Sequence, residues 1–104
     1  MALLNQYVEA GGNAIEVHSV SVNPTSLATL AEVDISVTVT GVVTTDIVTA
    51  MMSNDLEAGL IWKNAYVSAA NTVIVTVANI SAGTIDGAAC TGYLTIIKNN
   101  VVTD

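Results

Sequence analysis

A chain of 104 residues, 52% apolar and only 11% charged, with nine acids against Lys63 and Lys98 for a net charge of −7, amounts to one domain with one core. No nucleic-acid partner is expected, because displacing counterions from phosphates takes clustered lysine and arginine. A mean hydropathy of +0.64, carried by Val, Ile, Ala and Leu without any Phe, leaves apolar surface beyond what one core absorbs and so favours association.

In chain order, Leu3, Leu4, Tyr7 and Val8 fall at i, i+1, i+4 and i+5, the spacing of one short helical stripe. Gly11-Gly12-Asn13 then breaks regular structure. Residues 1–14 are therefore expected to form an arm hinged at Gly11 and Gly12, and residues 15–104 a β domain. The apolar side chains of the arm need a surface, their own or a neighbour's. This stretch lacks the basic region and apolar run of a signal peptide, and nothing approaches the ~18 consecutive apolar residues of a membrane span. No membrane partner is expected, and the chain is expected to be made in a reducing cytoplasm.

From Ile15 the period becomes two. Ile15-Glu16-Val17-His18 alternates, and Val20 and Val22 continue on the opposite parity, which predicts a bulge or a sheet-crossing strand near His18-Ser19. Asn23-Pro24-Thr25-Ser26 is turn chemistry. Val33 to Thr40 alternates strictly, with Val33, Ile35, Val37 and Val39 on one face and Gly41 as its stop, the mark of a half-buried antiparallel strand. Further strands are expected at Asp46–Met51, Leu60–Val67, Thr72–Val77 and Thr91–Lys98, with a turn at Ser68–Asn71 and a turn-rich stretch from Asn79 to Gly87. About six short strands without a long helix predict an all-β fold, a small antiparallel β-sandwich or jelly roll.

No set of residues suggests catalysis. His18 is the single histidine, and as a general base it would need both a nucleophile and an orienting partner. Cys90 is the single cysteine, which excludes an intrachain disulfide and reads as a small buried hydrophobe. One Cys and one His cannot assemble a tetrahedral zinc set without carboxylates or symmetry mates. The pairs Glu32/Asp34 and Asp55/Glu57 lack calcium-loop spacing and read as solvated surface acids. No glycine-rich phosphate loop is present. The expectation is no enzyme, no catalytic residue, no metal and no cofactor.

The span Val20–Lys98, about three-quarters of the chain, resembles a β domain recurrent in virion proteins of tailed bacteriophages, above all small capsid decoration (cement) proteins. The likeness is carried by Ser21-Val22-Asn23-Pro24, the alternating strand ending in Gly41, Asp46-Ile47-Val48 and Leu56-Glu57-Ala58-Gly59-Leu60. It continues through Ala65-Tyr66-Val67-Ser68-Ala69-Ala70-Asn71-Thr72-Val73, Val77 to Asp86, and the closing strand Tyr93–Lys98. The resemblance implies a homotrimeric sandwich on the outer capsid surface that clamps neighbouring major capsid proteins. On that expectation Leu3, Leu4, Tyr7 and Val8 are the capsid-contact arm, and the major capsid protein and the chain's own copies are the partners. The alternatives are a tail, baseplate or fibre adaptor or receptor binder, a small carbohydrate-binding module, for which Trp62 and three tyrosines are few aromatics, and an acidic hydrolase.

Overall fold

The computed structural model describes residues 8–10, 13–52 and 55–98, and side chains within 14–49 and 55–98. Nine strands appear among them: β1 (Val8–Ala10), β2 (Asn13–Val22), β3 (Ser26–Leu27), β4 (Glu32–Thr38), β5 (Ile47–Met52), β6 (Leu60–Ala69), β7 (Thr72–Asn79), β8 (Ile85–Asp86) and β9 (Cys90–Lys98). The fold is all-β, as expected. The six strands marked by alternation are β2, β4, β5, β6, β7 and β9. The three further ones are two or three residues long, too short to show a period.

A front sheet has the order β1-β2-β9-β5, a back sheet the order β4-β7-β6, and β3 pairs with β8 alone; every pairing is antiparallel. The two large sheets stack into a sandwich, with β2 lying against β4 and β5 against β6 along the rims. Between them, Val22, Leu94 and Ile96 of the front sheet meet Val73, Val75 and Val77 of the back sheet in one cluster. Small branched side chains suit this space, because a pleated surface of valines fills it without strained rotamers.

β7 is the middle strand of the back sheet and β9 an inner strand of the front sheet, and the chain passes from one to the other through residues 80–89. Asn79 holds the start of that crossover. Its side chain is buried, and Nδ2 donates to the carbonyl oxygens of Leu27, at 2.9 Å, and Gly83, at 2.8 Å. Its Oδ1 accepts from the backbone N–H of Ser81 at 2.8 Å and from the Ser81 hydroxyl at 2.7 Å. Two donors and two acceptances match what an amide of this kind can make in a dry site. Gly59 lies beside it with φ +94°, and a Cβ there would come within 2.6 Å of Ile85 Cδ1. Glycine is required at that position twice over, by conformation and by space.

Two expectations are corrected. β2 runs in unbroken register against β9 from Ala14↔Lys98 to Val22↔Cys90, so the parity change near His18 marks neither a bulge nor a change of sheet. The physical reason is that Ile15 and Val17 point outward, while Glu16, His18, Val20 and Val22 lie on the inner side of the strand. The structure does contain bulges, in β5 between Val48 and Ala50 and in β6 at Lys63 and Ser68. Within the span read as arm, Val8–Ala10 pairs with Asn13–Ile15 as a strand at the margin of the front sheet, so Val8 belongs to a strand rather than to a helical stripe.

Replacing Asn79 with Ala removes four hydrogen bonds from a buried side chain, with the Ser81 hydroxyl still able to bond Gly83 O, and the expected cost is about 3 kcal/mol. In a domain of this size that lowers Tm by roughly 12–24 °C. Asn79→Asp preserves shape but turns a carboxylate toward two carbonyl oxygens, and calorimetry should find it at least as unstable as Asn79→Ala. An Asp variant as stable as wild type would contradict the assigned bonding.

Candidate interaction surfaces

The charged side chains are largely answered within the molecule. Lys98 donates to Gly41 O at 2.7 Å and pairs with Asp46, whose side chain is 1% exposed. Asp46 Oδ2 also accepts from the Val43 N–H at 3.0 Å, so the pair pins the loop between β4 and β5 to the end of β9. Lys63, the extra residue of a β6 bulge, reaches Glu32 on β4, with both side chains about half exposed. Asp34, the neighbour of Glu32 on the outer face of β4, accepts from the Thr76 hydroxyl at 2.7 Å. The Glu32/Asp34 pair is thus met by a lysine and a threonine.

His18 and Cys90 are not brought together. Their β9 and β2 partners, Leu94 and Val22, place them four residues apart along the ladder, about 13 Å and beyond hydrogen-bond reach. His18 Nε2 instead lies 2.8 Å from Glu16 Oε1 on the same strand, and Cys90 is buried in the core. Among the described residues, no cluster of three or more His, Cys, Asp or Glu is placed to hold a metal ion. The aromatic side chains are also dispersed. Tyr66 stands on the outer face of the back sheet and Tyr93 on that of the front sheet, while Trp62 lies opposite Val77 and packs against the core. These three form no common platform for a sugar ring.

Two apolar surfaces remain. One is the outer face of the front sheet. Across it runs a row of three isoleucines, Ile15, Ile97 and Ile47, each directly opposite the next. Val17 opposite Thr95 and Ser19 opposite Tyr93 continue it, and Val17 is 65% exposed. Every described side chain of β2, β9 and β5 on this face is uncharged.

The second surface is a tip at one end of the back sheet. Ala31 N donates to Ala28 O at 3.0 Å, closing a turn whose third residue, Leu30, has φ +62°. That position calls for Gly or Asn, and a leucine there carries conformational strain. Leu30 is nevertheless 79% exposed, and its N–H donates to Asn79 O at 2.9 Å, which places it beside Ile80, itself 60% exposed. Leu30 thus holds a costly backbone conformation without its side chain being packed.

Of the residues expected to make the contact arm, Leu3, Leu4 and Tyr7 lie outside the described residues, as do Gly11 and Gly12. The backbone of Val8 is described, paired with Ile15 in β1. The Leu30 turn was not singled out by sequence reasoning, because Ala-Thr-Leu-Ala contains none of the usual turn residues. The front face had one visible signal, the parity conflict in β2.

Comparison with known protein families, with curated proteins and with solved structures returned no match.

The two lysines separate cleanly in a stability measurement. Lys98→Met leaves a buried carboxylate without its cation, and the expected loss is about 3 kcal/mol. Lys63→Met breaks a solvated pair, and the expected change is within about 0.5 kcal/mol. Urea titrations of both variants test this, and equal losses would contradict the difference in burial.

Proposed function

We propose that the protein is a virion structural protein that decorates and stabilises an outer capsid, binding between major capsid proteins as a homotrimer. The observation that carries this reading is the presence of two separate exposed apolar surfaces on one sandwich whose lysines are already committed to internal acids. A clamp has to bind both its own copies and the shell, and two such surfaces provide for that. The resemblance of Val20–Lys98 to decoration proteins agrees with it, and a net charge of −7 suits a position outside the shell, away from packaged DNA.

The benefit to a shell follows from mass action. A ligand that binds only the assembled lattice stabilises it in proportion to its own occupancy. Three linked copies convert weak single contacts into a tight one when all three engage together. Leu30 and Ile80, together with the arm residues Leu3, Leu4, Tyr7 and Val8, are the side chains proposed to meet the major capsid protein.

Capsids purified without the protein provide the test. Added protein should co-sediment to saturation and raise the temperature at which the shells open. Labelling of tails with bare heads would contradict the capsid reading. Leu30→Asn suits the left-handed turn and should stabilise the isolated domain by about 1 kcal/mol while weakening capsid binding. Removing residues 1–7 leaves β1 in place and should likewise weaken binding without lowering Tm. Full capsid occupancy by both variants would contradict the assigned contacts.

A further inference from the structure

We infer that the uncharged outer face of the front sheet is the self-association surface, and that three copies turn it toward a common axis. The inference rests on the homotrimer reading and adds the surface and the residues that meet.

Rotational symmetry places a strong constraint on such a surface. On a face turned toward a threefold axis, the residues nearest the axis meet their own two copies, so a charge there faces two like charges at short range. A chain carrying −7 with its cations already paired has few faces that meet this condition. The outer face of the back sheet does not, since it presents Glu32 and Asp34 with Lys63 among them. The outer face of the front sheet does, over three adjacent strands: Ile15, Val17, Ser19 and Ser21 on β2, Thr91, Tyr93, Thr95 and Ile97 on β9, and Ile47 on β5.

The same charge argument selects the occupant. A basic partner would gain no ion pair on a face without carboxylates, whereas a second copy presents a matching apolar, uncharged surface. The exposure of Val17, Ile47 and Tyr93, between 41% and 65%, leaves them available for burial on association. This choice also leaves the Leu30–Ile80 tip, at the end of the other sheet, free to meet the shell.

Val17→Glu tests the inference, since Val17 is exposed in the single copy and its replacement leaves the core intact. Burying three glutamates around one axis should weaken association on the order of 100-fold. In sedimentation equilibrium the variant should run as a monomer at concentrations where the wild type is trimeric, with an unchanged far-ultraviolet spectrum. Ser36→Glu, an exposed position on the back sheet, is the control and should remain trimeric. A trimeric wild type with a trimeric Val17→Glu overturns the surface assignment and leaves the homotrimer reading standing. A wild type that remains monomeric at high concentration overturns both. Loss of the trimer in Ser36→Glu but not in Val17→Glu would move the interface to the back sheet.

Discussion

The fold depends on how Asn79 ends the buried strand β7. Val73, Val75 and Val77 are fully buried, and the chain must leave this dry environment and return as β9 in the opposite sheet. Every backbone group at that exit needs a partner. Asn79 donates to Leu27 O and Gly83 O and accepts two bonds from Ser81, so it joins the small β3–β8 pair, the crossover and the back sheet at one point. Its backbone N–H donates to Ala31 O and its carbonyl accepts from Leu30, which fixes the neighbouring turn as well. The left-handed Leu30 is held in place by these bonds, which is how strain at an exposed residue can persist.

Charge scarcity sets the surface. With two lysines for the whole chain, one closes the buried Asp46 site and the other bridges two back-sheet strands. Among the described residues, the other exposed side chains are acidic, uncharged polar or apolar. The uncharged front face and the Leu30–Ile80 tip follow from that distribution, and the proposed capsid clamp uses one for its own copies and the other for the shell. The front face also explains an oddity of β2. Its outer positions Ile15 and Val17 are as apolar as its inner positions Val20 and Val22, while Glu16 and His18 occupy inner positions at the sandwich rim and bond to each other.

Much of the framework was legible in the sequence, because a period of two survives wherever one side of a strand is buried. Val33 to Val39 shows this most clearly, with Val37 and Val39 buried and the even positions exposed. The parity conflict in β2 was visible too, but a strand with two apolar faces looks like a bulge when only one face is expected to be apolar. β1, β3 and β8 escaped because two or three residues carry no period. The role of Asn79 could not be read from a stretch rich in turn residues, since burial rather than residue type distinguishes it from Asn71, whose side chain accepts from Gly41 N on the surface. The Leu30 turn was hidden because the chain uses a leucine where backbone geometry favours glycine.

The proposal that an uncharged face drives assembly is most directly tested by sedimentation equilibrium of the wild-type protein across a range of salt concentration. Screening shortens the reach of exposed charges from about 30 Å at 0.01 M to about 3 Å at 1 M. An interface free of charge in a molecule of net −7 should hold or tighten over that range, as repulsion between copies is screened and apolar burial is unaffected. Dissociation of the trimer with rising sodium chloride would mean that ion pairs hold the copies together, and would contradict the account.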